Sequence, residues 1–264
     1  MMRFVTWNLD WWDRNKQLRP PQELLKAQGD AVIALQEVRG SEIDPLRESH
    51  AGGTALFSQE LYPGATRRWM GCALLLPSGA EVIDKGVVPG LPKPQRSIWA
   101  TVRLPGGKAT TLVSWHTPNA AGGGEKVKVK MQAYEAMSTW LAALTTPVIL
   151  GGDFNTWVDP VDRQEADVTN AFFHEHAFVG PHPAHRLLDA YRTVLEANGE
   201  LDRRRQTAAK GPLAASYRLS DGTPHRMDRI FASEDLKSTA AGYGELAEAQ
   251  QHGSDHALHW AEFA

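Results

Sequence analysis

Short apolar stretches separated by glycine and proline run along most of the chain. Stretches of this length, rich in valine, isoleucine, leucine and aromatic residues, are typical of buried β-strands. The predicted strands are RFVTWNL (3–9), AVIALQEV (31–38), TALFSQ (54–59), CALLLP (72–77), EVIDKGVV (81–88), SIWATVRL (97–104), ATTLVSWH (109–116), PVILGGDFN (147–155), HRMDRIFAS (225–233), STAAGYG (238–244) and ALHWAEF (257–263). So many strands indicate a protein built around β-sheets.

Helical periodicity is confined to a few segments. PPQELLKAQGD (20–30) carries the proline and glycine signals of helix ends, and apolar residues keep helical spacing over roughly 126–144. Leu187, Leu188, Tyr191, Val194 and Leu195 predict a further amphipathic helix. Many strands with few helices indicate two stacked sheets with helices on the outside.

Turn signals suggest how some strands are joined. PSGAE (77–81) and PGGK (105–108) are typical of tight turns, so they predict antiparallel hairpins. We find no internal repeat and no segment with the composition of a domain linker. The sequence therefore predicts one domain over residues 1–264.

Polar residues follow several of the apolar strands at the point where each strand ends. The residues in such positions are Asn8, Glu37, His116, Asp153, Asn155 and Asp228, together with GSDH (253–256) before the last strand. Charges on buried strands are costly unless they are paired or bound to a metal. If the strands end at one edge, these side chains form a polar cluster at the rim of an apolar core, as in an active-site pocket.

The adjacency of Asp255 and His256 restricts where they lie. Neighbours in a β-strand point to opposite faces, so both side chains can reach one site only from a loop or a strand end. Gly253 and Ser254 predict a turn there, before the final apolar run.

The types of residue in this set indicate the chemistry. Asparagine, glutamate and aspartate oxygens favour Mg²⁺, Mn²⁺ or Ca²⁺ over zinc. Histidines add a general acid or base and a partner for a phosphate oxygen. Together these residues predict metal-assisted hydrolysis of a phosphoester.

Composition and charge narrow the class of protein further. The net charge of −3 over 264 residues argues against a passive nucleic-acid binder, although a metal ion can supply positive charge. Cys72 is the single cysteine, so no internal disulfide is expected. The N-terminal segment lacks a signal-peptide pattern and no apolar run reaches transmembrane length, which predicts a cytoplasmic protein without a membrane span.

Six motifs in order resemble the endonuclease/exonuclease/phosphatase superfamily, which includes the DNase I-like and exonuclease III-like enzymes. The motifs are TWNL (6–9), LQEV (35–38), SWHT (114–117), GGDFN (151–155), RMDRIF (226–231) and GSDH (253–256). They cover nearly the whole chain. QRSIWATVRL around Arg96 and LLDAYR around Asp189 also resemble the family.

The resemblance implies a DNase I-like fold, an α/β four-layer sandwich of two mixed β-sheets flanked by helices. It implies a phosphoesterase that uses Mg²⁺ or Mn²⁺. The implied metal residues are Asn8, Glu37 and Asp255; the implied catalytic residues are His116, Asp153, Asn155, Asp228 and His256; and Arg96 is the implied phosphate-binding residue. Asp153 and Asn155 would position the attacking water and the phosphate, and His116 would contact a phosphate oxygen. His256, oriented by Asp228, would act as a general base or as a phosphate-contacting acid.

The sequence leaves the substrate open. We expect a nuclease that hydrolyses phosphodiester bonds of nucleic acid. The alternatives are a phosphomonoesterase, a hydrolase of a small or lipid phosphodiester, and a non-catalytic binding protein of the same fold. The exonuclease III-like pattern that follows GDFN is not found in TWVDPVDR (156–163), and no obligate protein partner is predicted.

Aromatic and basic residues outside these motifs have two interpretations. Trp7, Trp11 and Trp12 stack on bases or fill the core, and the second is expected. The lysines of KVKVK (126–130) and the arginines of RRR (203–205) contact a phosphate backbone or form a solvated surface, and again the second is expected.

Overall fold

The computed structural model describes residues 1–9, 20–62, 69–156, 178–180, 183–207 and 212–264. Within them the chain forms two six-stranded sheets and a small two-stranded ribbon. The strands are β1 Met2–Asn8, β2 Val32–Val38, β3 Thr54–Phe57, β4 Gly71–Leu76, β5 Glu81–Gly86, β6 Ser97–Arg103, β7 Ala109–His116, β8 Val148–Asp153, β9 Leu187–Asp189, β10 Tyr217–Arg218, β11 Pro224–His225, β12 Asp228–Ser233, β13 Ser238–Tyr243 and β14 His259–Phe263.

Each large sheet is mixed and has one parallel pair at its centre. The first sheet has the order β13-β14-β1-β2-β4-β3, and the second has the order β5-β6-β7-β8-β12-β9. β1 and β2 run parallel in the first sheet, as do β7 and β8 in the second, whereas the other neighbouring strands are antiparallel. The carboxyl ends of each parallel pair therefore lie together at one edge of their sheet.

Helices flank the two sheets. They are α1 Pro21–Lys26, α2 Ile43–Ser49, α3 Ser58–Leu61, α4 Glu125–Ala143, α5 Ala190–Ala197, α6 Leu201–Thr207 and α7 Leu246–Gln251, with a 3₁₀ turn at Pro94–Arg96. None of the helices in the described residues has the length and apolar character needed to cross a membrane.

The main core lies between the two sheets. Phe4 and Leu74 of the first sheet pack with Ile98 and Ile149 of the second, and all four are fully buried. Each such side chain contributes about 1.5–3 kcal/mol by its removal from water. The sheets approach closely here, since a Cβ on Gly151 would lie 2.5 Å from Cε1 of Phe4.

Separate apolar clusters attach the helices to the outer faces. Leu24 of α1 and Leu46 of α2 pack on the first sheet, and Met137 of α4 packs with Trp115 and Leu150 of the second. The molecule thus has the order helix, sheet, sheet, helix. The predicted four-layer sandwich is confirmed.

Two local predictions were wrong. The amphipathic helix expected from Leu187 begins instead at Ala190, because Leu187–Asp189 pairs with β12 as an edge strand. Asp189 ends that strand and caps the helix by accepting a hydrogen bond from the Arg192 amide, at 3.2 Å. The turn PSGAE (77–81) does not make a hairpin, since β4 and β5 belong to different sheets. The hairpin predicted at PGGK (105–108) is confirmed between β6 and β7.

Candidate active site

The polar strand ends of the two sheets meet at one edge of the sandwich. Asn8 ends β1 and Asp153 ends β8, and the Asn8 amide Nδ2 donates a hydrogen bond to Asp153 Oδ2 at 3.0 Å. His116 ends β7 and is the register partner of Asp153. The sequence expectation that these ends share one edge is confirmed.

Asp153 and Asn155 form a tight turn directly after β8. The Asn155 amide N–H donates to Asp153 Oδ1 at 2.8 Å, and its side-chain Nδ2 donates to Asp153 Oδ2 and to the Thr117 carbonyl, both at 3.1 Å. Asn155 has a φ of 48°, in the left-handed region that few non-glycine residues adopt. The carboxylate of Asp153 is therefore held by two hydrogen bonds from Asn155.

Two buried side chains of helix α4 donate hydrogen bonds to the backbone of this loop. Lys130 Nζ donates to the Asn155 carbonyl at 2.5 Å, and the Tyr134 hydroxyl donates to the Phe154 carbonyl at 2.9 Å. Lys130 is only 3% exposed. The expectation of a solvated surface for the lysines of KVKVK (126–130) is wrong for Lys130. In helical register, however, Lys130 lies four residues before Tyr134 and seven before Met137, on the buried face.

His116 lies between acidic and basic neighbours. Its Nε2 is 3.5 Å from Glu37 Oε1, 3.8 Å from Asp153 Oδ2 and 3.5 Å from Arg96 Nη1. Burial of the imidazole, reinforced by the positive charge of Arg96, lowers the pKa of His116 well below its ordinary value. His116 is therefore neutral at pH 7.

Glu37 is placed by an irregularity in β2. The register between β2 and β4 shifts between Leu35 and Val38, and Glu37 has a φ of 58°. A left-handed residue with a side chain costs about 1–2 kcal/mol, and such strain tends to be retained where function requires it. The shift turns the glutamate toward His116.

Asp228 and His256 form a buried pair beside Asp153. His256 Nδ1 lies 2.7 Å from Asp228 Oδ2, and both residues are buried. The backbone of His256 is fixed as well, because the Trp7 indole Nε1 donates to its carbonyl at 2.8 Å. Trp7 is fully buried in this role and does not stack on a base. Trp11 and Trp12 lie outside the described residues.

Asp255 and His256 precede β14, outside the regular strand, as expected from the preceding Gly-Ser. His256 Nε2 lies 3.5 Å from Asp255 Oδ1, on the opposite side of the ring from Asp228. The imidazole is thus flanked by carboxylates at both nitrogens. The Asp255 side chain is 42% exposed, whereas that of Asp228 is fully buried.

The charged groups in this cluster change one another's pKa values. Burial alone would lower the pKa of His256, but the carboxylates of Asp228 and Asp153 outweigh it and raise that pKa to about 10. Burial, together with repulsion from Asp228, raises the pKa of Asp153, and His256 partly offsets this. His256 is therefore protonated at pH 7, and Asp153 holds a proton more readily than an ordinary aspartate.

The donor set suits a hard divalent cation. Asp153, Asp228 and His256 each offer one ligand atom within 4.8 Å of the others, and Glu37 adds a further carboxylate next to His116. Carboxylate oxygens are the ligands that Mg²⁺ prefers. A protonated imidazole has no free lone pair for a metal, so His256 serves better as a proton donor than as a ligand.

The nine residues predicted from the sequence lie in two neighbouring contact networks, within which each residue is 3.8 Å or less from another member. The first network joins Asn8, Glu37, Arg96, His116, Asp153 and Asn155, and the second joins Asp228, Asp255 and His256. The two networks meet where ligand atoms of Asp153, Asp228 and His256 lie within 4.8 Å of one another. Asp189, which also lies in a stretch that resembles the family, forms an ion pair with Arg226 at 2.7 Å.

The lysines of KVKVK (126–130) and the arginines of RRR (203–205) lie in different environments. Lys128 pairs with Glu125 at 3.5 Å on the surface, whereas Lys130 is buried. Arg203 and Arg204 on α6 pair with Glu200 of the same segment, at 3.3 and 3.5 Å. These intrahelical pairs favour the solvated-surface interpretation of the arginines.

The fold and the site together define a DNase I-like α/β sandwich with an acidic, histidine-containing centre at one edge. Residues 5–256 match the Endonuclease/Exonuclease/phosphatase family. The chain belongs to this family, whose name joins enzymes that cleave phosphoester bonds.

Solved structures share the fold at low sequence identity. The 3′ phosphatase NExo from Neisseria, bound to a product DNA hairpin, has 18% identity and a TM-score of 0.70, with 100% of each chain covered. The catalytic domain of Xenopus laevis APE2 has 18% identity and a TM-score of 0.70, covering 99% of this chain and 91% of that one. The catalytic domain of human Nocturnin, with a bound sulfate, has 18% identity and a TM-score of 0.65, covering 100% and 94%. No curated protein has significant sequence similarity to this chain.

Proposed function

We propose that this protein is a metal-dependent phosphodiesterase that hydrolyses nucleic acid and uses Mg²⁺ or Mn²⁺. The observation that carries the proposal is the buried Asp228–His256 pair, 2.7 Å apart, next to Asp153 at the edge where both sheets end. A carboxylate that fixes the tautomer and orientation of a histidine supports general acid–base catalysis by that histidine. Family membership supports the same class of reaction.

Asn8, Glu37 and Asp255 are proposed to hold the metal ion through their side-chain oxygens. When bound, the ion would offset the charge that the phosphate and the carboxylates bring together. Asn8 is oriented for this by its hydrogen bond to Asp153, and Glu37 by the left-handed turn of its backbone.

Asp153 and Asn155 are proposed to position the attacking water and the phosphate. Asp153 accepts hydrogen bonds from Asn8 and Asn155, so its carboxylate is fixed in one orientation. A fixed carboxylate directs a water molecule and accepts its proton with little loss of orientational freedom.

His256 is proposed to donate a proton or hydrogen bond from Nε2, because Nδ1 is already held by Asp228. The phosphate or its leaving oxygen is the acceptor. His116, 3.8 Å from Asp153, and Arg96, 3.5 Å from His116, are proposed to contact phosphate oxygens. Arg96 supplies a permanent charge there, since a guanidinium stays protonated.

We also propose that residues 1–264 act as one domain. β1 pairs with β14 in the first sheet, with Met2 opposite Phe263, so strands from both ends of the chain complete one sheet.

The test is a hydrolysis screen with and without metal. The substrates are plasmid DNA, single-stranded DNA, RNA, bis(p-nitrophenyl) phosphate and p-nitrophenyl phosphate. We expect phosphodiester cleavage that EDTA abolishes and that Mg²⁺ or Mn²⁺ restores. Cleavage of the monoester alone would replace the proposal by a phosphomonoesterase. Undiminished cleavage after exhaustive chelation would overturn the metal mechanism.

A further inference from the structure

Three cationic side chains form a group next to the candidate active site: the first contacts His116, the second acts on His116 through its charge, and the third acts on the second. They are, in this order, Arg96, Lys93 and Lys126, and the sequence motifs assign a role only to Arg96. Lys93 and Lys126 are both exposed. On a chain with a net charge of −3, a group of positive charges beside an acidic centre is a local feature that needs an explanation.

A short 3₁₀ turn connects two of these cations to the active site. The Arg96 amide donates to the Lys93 carbonyl at 3.0 Å, which closes the turn at Pro94–Arg96. Arg96 Nη1 then lies 3.5 Å from His116 Nε2. The turn therefore starts at Lys93, outside the site, and ends at its edge.

The third cation, Lys126, belongs to helix α4, which packs against the segment before Lys93. The segment before Lys93 runs alongside α4, and a Cβ on Gly90 would lie 3.8 Å from that of Ala136. Further along, Pro92 shares a groove with Gln132. The segment therefore packs on one face of α4, and the charge of Lys126, in the first turn of that helix, acts on Lys93.

Within the described residues these three side chains have no ion-pair partner. In the described part of the chain, no aspartate or glutamate forms an ion pair with Lys93, Arg96 or Lys126, and Lys126 Nζ instead donates to the Ala121 carbonyl at 3.2 Å. By contrast, Lys128 on the same helix pairs with Glu125. A cation in the first turn of a 19-residue helix also opposes the helix dipole.

The mutual repulsion within the group is visible in Lys93. Partial burial, followed by the charges of Arg96 and Lys126, lowers the pKa of Lys93 below its ordinary value. A bound anion would relieve this repulsion, since it attracts all three side chains.

We propose that Lys93 and Lys126 form a binding site for a second phosphate group of the substrate, next to Arg96 and the phosphate that is cleaved. The inference rests on the proposed function and adds a requirement about the substrate. The substrate then carries at least two phosphates, as in a nucleic-acid strand or a nucleotide with a second phosphate group. A phosphodiester with one phosphate would leave this site empty.

The first experiment compares substrates with one and with two phosphates. The double variant Lys93→Gln/Lys126→Gln is measured on bis(p-nitrophenyl) phosphate, on a short single-stranded oligonucleotide and on a 3′,5′-linked dinucleotide with a 5′-phosphate. We expect the ratio of kcat/KM for either two-phosphate substrate to that for the aryl diester to fall by about tenfold, as for lost charge-assisted contacts. Lys128→Gln, which removes a lysine two residues away on the same helix, is the control and should leave the ratio unchanged.

The two-phosphate substrates distinguish the sources of the second phosphate. A fall with the dinucleotide as well as the oligonucleotide indicates a site for one neighbouring phosphate. A fall with the oligonucleotide alone places these lysines along a longer strand and overturns the adjacent-phosphate site. An unchanged ratio with both substrates overturns the inference while the proposed function stands.

A binding measurement tests the site without turnover. Anisotropy of a fluorescein-labelled oligonucleotide is followed in EDTA at several salt concentrations. The double variant should bind more weakly and with a less steep salt dependence than both the wild type and Lys128→Gln. Identical salt slopes would refute the site. If no substrate is hydrolysed, the proposed function fails and this measurement alone decides the inference.

Discussion

The Asp228–His256 pair offers the sharpest test of the mechanism. Asp228→Asn keeps the size of the side chain but removes the charge 2.7 Å from His256 Nδ1. Breaking a buried ion pair costs about 3–5 kcal/mol, and one pKa unit corresponds to about 1.36 kcal/mol. We therefore expect the pKa of His256 to fall by roughly two units or more from its value of about 10, because burial then favours the neutral ring.

The assay is NMR titration of the imidazole resonances in EDTA-treated protein. The dependence of folding stability on pH gives a second measurement of the same pair. The folded pKa of His256 lies above the unfolded value near 6.5, so the stabilisation is complete below pH 6.5 and is lost as the pH rises through about 10. Asp228→Asn should destabilise the protein most below pH 6.5, and the difference from the wild type should shrink at alkaline pH.

Kinetics connect the pair to catalysis. We expect kcat/KM of Asp228→Asn to fall by roughly 10²–10⁴, in the range of lost general acid–base catalysis. His256→Ala should be similarly slow, and the double variant scarcely slower, since residues that act as a unit are not additive. The control is Asp235→Asn, which removes a surface carboxylate that pairs with Lys108. Multiplicative losses, or an unshifted His256 titration in Asp228→Asn, would refute the pairing as the basis of activity.

Two further predictions concern metal binding and acid stability. Glu37→Gln should raise the metal concentration for half-maximal activity by about tenfold or more. The Tm of the metal-free protein should change little, because the two side chains are nearly isosteric. Glu60→Gln, at an exposed ion pair with Arg47, is the control, and an unchanged metal requirement in Glu37→Gln would exclude Glu37 as a ligand. His259 is buried, and burial lowers its pKa to about 3, so its neutral form is stabilising above pH 6.5 and that contribution is lost as the pH falls. Protonation of His259 on unfolding should lower the free energy of unfolding by about 2 kcal/mol between pH 7 and 5. Urea denaturation at several pH values should show a weaker dependence of that free energy on pH for His259→Phe than for the wild type. An equal dependence on pH for both proteins would contradict the low pKa of His259.

The positions of the site residues could be predicted from the sequence because they depend on a simple rule. Buried strands that end in polar residues expose those residues at a sheet edge, and the strand ends at Asn8, His116 and Asp153 were recognisable from their apolar runs. The pairing of the two sheets was not encoded so locally. The hydrogen bond between Asn8 and Asp153 joins residues 145 positions apart, and only the family resemblance indicated which strands meet.

The errors arose where tertiary contacts override local preference. Leu187 and Leu188 fit a helical pattern, but the edge of β12 offered them backbone hydrogen bonds, so they form a strand. PSGAE (77–81) has the composition of a hairpin turn, yet the chain leaves one sheet there and enters the other. Lys130 was hidden because its charge suggested a surface position, whereas the carbonyl of Asn155 provides its partner in the interior.

Two residues of the candidate site have backbone conformations that are uncommon for residues with a side chain. Among the described residues, Glu37 and Asn155 are the non-glycine positions with positive φ, and both lie in the candidate site. That conformation costs a residue such as Glu37 about 1–2 kcal/mol, whereas asparagine adopts it more readily. At Asn155, hydrogen bonds to Lys130 and Thr117 fix the loop in addition. At Glu37 the left-handed backbone coincides with the register shift of β2, and the side chain lies 3.5 Å from His116, so the strain falls at the residue that is proposed to hold the metal ion.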